Sequence, residues 1–396
     1  MLKSDVAIVG AGPAGAWAAY SLARRGARVT LFDPSHPREK PCGGGVTGRA
    51  LALVGDAVDA ASFARTTIRT ARFPLRACGA TGDKFSASES AVVPLDGDAL
   101  VVASRAAFDA AILAAAERAG AVLERTRVRN VTVDSTGVRL DTDAGPRRAS
   151  FVVGADGVNS IVRRRLATPF RREQLSIATG VFARGVTSDE IVVKLDAHPP
   201  GYFWSFPRPD HLAIGVCAAA DAGVTSGDLR ARAVAWTTNA HLAEGAPLES
   251  YSWPIPTLSA RDFDEVDLAG PRWALVGDAA GLVDPITREG IYLALASGAW
   301  IADALARDEP ASYGRRVRDE AIAELSRAAR FKAAFFRPAF TGLLVGALQH
   351  SPGIRSVMAD LIAGRQSYAA LKWRLLITWE WGLAARAITG VGDGRR

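Results

Sequence analysis

Six residues near the start of the chain, Gly10-Ala11-Gly12-Pro13-Ala14-Gly15, have the spacing that lets a backbone approach a phosphate. They follow a short β-branched run, DVAIV, and open a helical pattern, AWAAYSLARRG; a second strand-like run, ARVTLFD, ends at Asp33. In that context Gly10 permits a tight turn, Gly12 lets the main chain reach a pyrophosphate, and Gly15 lets the helix pack close to the strand. Pro13 and Ala14 lie at the helix start, where unpaired N–H groups and the helix dipole favour negative charge. Asp33 would accept hydrogen bonds from a ribose. Strand, glycine turn, helix, strand and acid make a dinucleotide site, and they leave FAD and NAD equally open.

Three further turns could serve the same ligand. Lys40-Pro41-Cys42-Gly43-Gly44-Gly45 carries three glycines without packing side chains; it is either a close approach to a flat ligand or an ordinary flexible loop. Gly154-Ala155-Asp156-Gly157 follows the β run SFVV, and Gly277-Asp278 follows RWALV. Asp278 would sit at the C-terminal end of a strand, where ligands bind in open α/β sheets. A long helix beginning near Arg288, with Gly290 and Ile291 at its start, offers more free N–H groups to an anionic or carbonyl-bearing ring edge. Arg105 opens an Ala-rich helix that stops at Gly120, and a strand over VLERTRVRNVTVD, containing Val128, comes next. Turns so widely separated imply one extended cofactor gripped by a discontinuous domain.

The elements that must position these residues divide the chain as follows. Residues 1–70, 101–170 and 271–310 read as an α/β, Rossmann-like nucleotide domain. Residues 71–100 and 171–270 read as alternating, aromatic-containing strands with little helix: a mostly antiparallel sheet inserted in two pieces. Residues 311–396 read as a helical C-terminal region. Within the inserted sheet Tyr202, Trp204 and Phe206 recur at period two and share one strand face. They are either core packing or an aromatic wall along a substrate channel. The last helix mixes Trp373, Trp379 and Trp381 with Lys372, Arg374 and Arg386, a composition fitting a lipid interface or a capping helix with a solvated basic face.

Composition narrows the classes. A chain of 396 residues, 49% hydrophobic and 22% charged, is globular and can bury a sizeable core. The net charge of +7 favours anionic surroundings, but the arginines are scattered with no dense basic block, which argues against nucleic acid. Cys42, Cys78 and Cys217 form no disulfide framework, and neither they nor the five dispersed histidines have metal-ligand spacing. No metal is expected. Without a signal-peptide pattern or an apolar run of roughly 18 residues, the expectation is a cytoplasmic protein, with peripheral contact at a membrane surface also open.

Gly10 to Gly15, Gly154-Ala155-Asp156-Gly157 and Gly277-Asp278, in this order and with Arg105, Phe108 and Asp109 matching an Arg-x-x-Phe-Asp signature, resemble the FAD-dependent fold of para-hydroxybenzoate hydroxylase and its relatives. That resemblance, running from residue 5 to about 310, selects FAD over NAD. Lys40 to Gly45, Tyr202 to Gly215 and Gly277 to Ile291 resemble the geranylgeranyl reductase family. Its YxWxFP motif is met at Tyr202, Trp204, Phe206 and Pro207. The chain departs at Cys217, where a second glycine is usual, and at Arg288, where many relatives have glycine in Thr-Gly-Glu-Gly.

The resemblance implies flavin contacts at Ala14, Asp33, Cys42, Gly43, Gly45, Arg105, Val128, Asp278, Gly290 and Ile291. It also implies an enzyme that reduces isoprenoid C=C bonds. An external donor, NAD(P)H or a ferredoxin-like protein, would reduce the FAD, whose N5 would pass hydride to the alkene of a prenyl lipid or isoprenoid diphosphate. Tyr202, Trp204 and Phe206 would line the prenyl channel, and Cys42 would lie by the flavin on the substrate side. The acid that protonates the second carbon would be Cys42, Tyr202 or an ordered water. The same fold also supports aromatic hydroxylases and halogenases. The YxWxFP stretch partly resembles the halogenase WxWxIP motif, and Lys84 is the one candidate for the lysine that halogenases need. A prenyl-lipid carrier stabilised by FAD is the non-catalytic alternative.

Overall fold

The computed structural model describes residues 5–74 and 90–378. Cys78, Lys84, Trp379, Trp381 and Arg386 lie outside the described residues. Strand Asp5–Val9 is buried at four of its five positions and pairs in parallel with Arg28–Phe32 on one side and Phe151–Gly154 on the other. Apolar runs with no polar alternation suit this position, because helices cover both faces of a parallel sheet. The six-stranded sheet runs in the order Ala269–Gly270, Trp273–Leu275, Phe151–Gly154, Asp5–Val9, Arg28–Phe32, Val122–Glu124. Helix Pro13–Ala23 packs on helix Ile291–Ala306, so tightly that a Cβ at Gly298 would stand 2.6 Å from the Ala14 carbonyl oxygen.

A seven-stranded sheet carries the second layer, in the order Leu248–Pro256, Leu175–Arg184, His211–Ala219, Pro200–Pro207, Glu190–Ala197, Thr70–Pro74, Ser90–Pro94. Only Glu190–Ala197 with Thr70–Pro74 is parallel; the other pairings are antiparallel. A small sheet of Gly45–Thr47, Leu100–Ala103 and Arg65–Thr67 pins the glycine loop, with Gly45 opposite Val102. The expected boundary between residues 100 and 101 therefore falls inside a strand.

Three expectations need correction. The single strand expected after Gly120 is two, Val122–Glu124 in the parallel sheet and Val128–Asp134 in a separate antiparallel sheet. The chain turns between them, where the Thr126 N–H returns to the Glu124 carbonyl at 2.8 Å. The segment 171–270 holds a 14-residue helix, Ser226–Asn239, opened by a Thr225/Asp228 capping box. Its buried Leu229, Ala233 and Trp236 recur at helical spacing, and Trp236 meets Phe203 on the sheet at 5.4 Å. Third, the stretch from Gly353 onward is no single helix: Pro352–Ile362 and Tyr368–Thr378 are separated at Gly364, which takes a left-handed φ of 70°.

Helices Pro310–Val317, Ala323–Phe335 and Pro338–His350 complete the C-terminal region. Among the described residues no single helix is long and apolar enough to cross a membrane. On the Tyr368–Thr378 helix, Trp373 is 70% exposed and Ile377 83%.

Candidate active site

The first glycine turn separates packing from binding. Gly10 has φ of 101°, and a Cβ there or at Gly15 would collide with main-chain oxygens, of Ala155 and of Gly10 respectively. Gly15 lies beneath the turn and off the cavity, so its part is helix–strand packing alone. Gly12 is different. A Cβ there would meet nothing nearer than His36 Nε2 at 3.6 Å, so the protein itself does not demand glycine. What lies over it is open cavity.

Asp33 is tied into the turn. Its carboxylate accepts the N–H groups of Ala11 (2.9 Å), Ser35 (2.8 Å) and His36 (2.9 Å), and its Oδ2 pairs with His36 Nδ1 at 2.8 Å. Those four contacts occupy the four lone-pair sites of a carboxylate. Burial opposes ionisation here, yet the His36 ring and these amides hold the Asp33 carboxyl far below the usual carboxylate range. Asp33 thus braces the glycine turn against the residues that follow it while also lining the cavity.

The Lys40-to-Gly45 loop is held by two buried arginines. Arg105 makes a double hydrogen bond to Asp109, Nε to Oδ1 and Nη2 to Oδ2, both 2.9 Å, and turns Nη1 towards Cys42 Sγ at 3.6 Å. Arg208, with a side chain 0% exposed, donates to the Cys42 carbonyl at 2.6 Å and lies 4.0 Å from its Sγ. Arg208 also pairs with Glu39, which accepts from Ser104 Oγ (2.6 Å) and the Arg105 N–H (3.0 Å). Burial opposes ionisation of Glu39, but Arg208 and these donors hold its carboxyl below the ordinary value. The flat group against the glycines is partly the protein's own: a Cβ at Gly43 would stand 2.6 Å from the Phe206 ring. Sequence reasoning missed Arg208 and Glu39. Their only signal was position, one just past the YxWxFP motif and one just before Lys40.

At the second and third turns, Asp156 Oδ2 accepts the Ile161 N–H at 2.6 Å while its buried Oδ1 has no partner among the described residues. Burial pushes the Asp156 carboxyl up to about 6. Asp278 faces Lys40 Nζ at 3.4 Å. Gly290 caps the helix Ile291–Ala306, and both Gly290 and Ile291 open onto the cavity. Arg288 takes a left-handed φ of 61°, a conformation that favours glycine, and its guanidinium donates to Thr257 Oγ1.

One cavity of about 640 Å³ joins these parts. It is lined by Gly10, Gly12, Pro13, Ala14, Asp33, Cys42, Gly43, Gly45, Arg105, Val128, Asp156, Asp278, Gly290 and Ile291 at one end. Tyr202, Trp204 and Phe206 line its other, apolar arm. Tyr202 and Trp204 are neighbouring rings 5.9 Å apart. The Tyr202 hydroxyl donates to the Thr287 carbonyl at 2.8 Å, tying the wall to the loop before Gly290, and burial raises its pKa. Two lysines among the described residues bear on this cavity. Lys40 lines it, and Lys332 sits within the field of Arg288 and Cys217, its ammonium pushed down to about 8 by burial and by Arg288. Among the described residues no group of His, Cys, Asp and Glu is arranged to hold a metal.

These features fit FAD. The open space over Gly12 and two helix N-termini at the cavity suit phosphates and an electron-rich ring edge, and the orphan Oδ1 of Asp156 waits for a donor.

Comparison with known proteins gives the same cofactor. Residues 3–308 match the family model described as an FAD binding domain. A menaquinone reductase of Mycolicibacterium smegmatis is 32% identical over 330 residues, 76% of either chain. The chloroplastic geranylgeranyl diphosphate reductase of Arabidopsis thaliana is 28% identical, over 80% of this chain and 68% of its own. In fold, a geranylgeranyl bacteriochlorophyll reductase-like protein of Thermoplasma acidophilum superposes with a TM-score of 0.76 at 21% identity, covering 95% of this chain and 99% of that one. A flavin-dependent brominase gives 0.68 at 22%, over 95% and 98%. The chain belongs to the FAD-binding-domain family of oxidoreductases and is similar to the geranylgeranyl reductases, with an α/β FAD-binding fold of mixed sheets and a helical C-terminal region.

Proposed function

We propose that the enzyme reduces carbon–carbon double bonds in an isoprenoid chain. The observation that carries this reading is the apolar arm of the cavity, which leads from the Cys42 loop along Tyr202, Trp204 and Phe206. Such a channel takes a long hydrocarbon and excludes water from the reacting bond. Relatives named for menaquinone and for geranylgeranyl diphosphate support a prenyl substrate without choosing its head group.

Ala14, Gly43, Gly45, Arg105, Val128, Asp278, Gly290 and Ile291 would hold FAD. When bound and reduced by NAD(P)H or a ferredoxin-like donor, FAD supplies hydride from N5. Protonation of the other alkene carbon falls to the chain. Cys42 is the candidate acid, since two guanidiniums fix its position at the junction of both cavity arms. Tyr202 is less suited, because its proton is already directed to the Thr287 carbonyl. A substrate borne in a lipid surface suits peripheral contact through the helix that exposes Trp373 and Ile377.

The test is anaerobic. The purified flavoprotein is reduced with dithionite and mixed separately with geranylgeranyl diphosphate and a menaquinone. Flavin reoxidation with a product two mass units heavier, measured after any quinol is oxidised back to the quinone, supports the reductase. A reduced flavin inert towards both sinks it.

One observation favours a second reading, an oxygen-using hydroxylase or halogenase: Lys332 is half-buried within the field of Arg288 and Cys217, two residues that line the cavity, and burial pushes its ammonium down to about 8. Oxygen uptake coupled to hydroxylated or halogenated product, abolished by Lys332→Ala, would select that class.

A further inference from the structure

We infer that Phe335, Met358 and Leu361 form the end wall of the hydrocarbon arm and set the length of chain it accepts. The inference rests on the prenyl reading of the cavity. Phe335, at the end of helix Ala323–Phe335, and Met358 and Leu361, on helix Pro352–Ile362, line the 640 Å³ cavity from the C-terminal helices, on elements separate from those that carry the glycine turns. The same three side chains, with Ile286, also line a second cavity of about 30 Å³. The partition between the two spaces is therefore one side chain thick.

Behind the wall lie Phe331, Leu344, Ile354 and Leu375. Among the described residues the only hydroxyl there is that of Tyr368, which is committed to Asp284 Oδ2 at 2.8 Å. A buried water needs two to four polar partners, so this space holds none comfortably, and its lining lacks the dispersion contacts that a filled site would make. Hydrocarbon is the chemistry that fits, and the hydrocarbon adjacent to it is the terminal isoprene unit of a chain lying in the arm. Met358 is the movable part of the wall. It is 7% exposed, unbranched, and able to change shape by rotation where Phe335 cannot.

The experiment uses the FAD-loaded, oxidised enzyme and prenyl diphosphates of two, three, four and five isoprene units. Binding is read from the flavin absorbance change, so turnover is not required. Met358→Ala opens the partition, and the ratio of longest-chain to shortest-chain affinity should rise about tenfold, equivalent to about 1.4 kcal/mol or fewer than two newly buried methylenes. The double variant Met358→Ala/Ile354→Trp, which fills the space behind the wall, should return the ratio to its starting value. Leu361→Ala gives an independent opening if Met358→Ala does not fold. Chains that bind and are reduced with an unmoved length profile overturn the wall and leave the reductase standing. A shifted profile without reduction keeps the wall and overturns the reductase. Failure of every chain to bind, the diphosphates and a menaquinone alike, overturns both.

Discussion

Arg208 Nη2 donates to the carbonyl oxygen of Cys42 at 2.6 Å, joining residues 166 positions apart in sequence. Through this bond the strand that carries the aromatic wall also fixes the loop that carries the thiol. Glu39 completes the link by binding Arg208 and the first amide of the helix that starts at Arg105.

Arg208→Met should therefore be costly out of proportion to its size. It leaves Glu39 without its main counter-charge and frees the Cys42 loop. The expected loss is about 3 kcal/mol of unfolding free energy, with reduced FAD content. Urea denaturation read by tryptophan fluorescence measures it; a loss under about 1 kcal/mol would mean the loop is held by other contacts.

Gly12 and Gly15 should part company on substitution. Gly12→Ala meets only open space, so the chain should fold with near-native melting while retaining at least tenfold less FAD. Gly15→Ala drives a methyl into the Gly10 carbonyl and should reduce soluble yield outright. Flavin-to-protein absorbance ratios and melting curves separate the two. Full flavin content in Gly12→Ala would remove the pyrophosphate from that space.

Cys42→Ser and Tyr202→Phe distinguish the candidate acids. Single-turnover alkene reduction should fall at least 100-fold in Cys42→Ser with FAD content unchanged, in keeping with the usual worth of general acid catalysis. Tyr202→Phe loses one hydrogen bond to Thr287, about 1 kcal/mol of stability, and should keep most of the rate. The reverse ranking would transfer the role to Tyr202.

Asp156 makes stability depend on pH. Its carboxyl titrates near 6 in the fold against an ordinary 3.8, so folding favours the protonated form. That contribution is complete below about pH 4 and is lost as pH rises through 6. FAD-free protein should lose about 2 kcal/mol across this interval, less than the full linkage value because the carboxyl borders an open cavity. Asp156→Asn should flatten the step in unfolding free energy; an identical pH profile would assign the titration elsewhere.

Some features were readable because they depend on local backbone physics. Buried parallel strands need continuous apolar runs, and a helix opening on a phosphate needs small residues at its first turn, so the glycine turn and its flanking strands stand out at Asp5–Val9 and Arg28–Phe32. Others were obscured by local likeness. The residues 122–134 alternate well enough to look like one strand, and only the different partners of Val122–Glu124 and Val128–Asp134 divide them. The helix Ser226–Asn239 was legible in Leu229, Ala233 and Trp236, but strong strands on either side drew the segment into the sheet.

By itself the sequence determined a dinucleotide site, the parallel core that presents it and the aromatic face at Tyr202, Trp204 and Phe206, since each follows from spacing within a few residues. Tertiary structure decided what those residues face. It tied Asp33 to Ala11 and His36, brought Arg208 to Cys42, set Phe206 against Gly43 and put Met358 in the wall of the same cavity. Such pairings join distant segments through burial and charge compensation, and no local pattern in the chain encodes them.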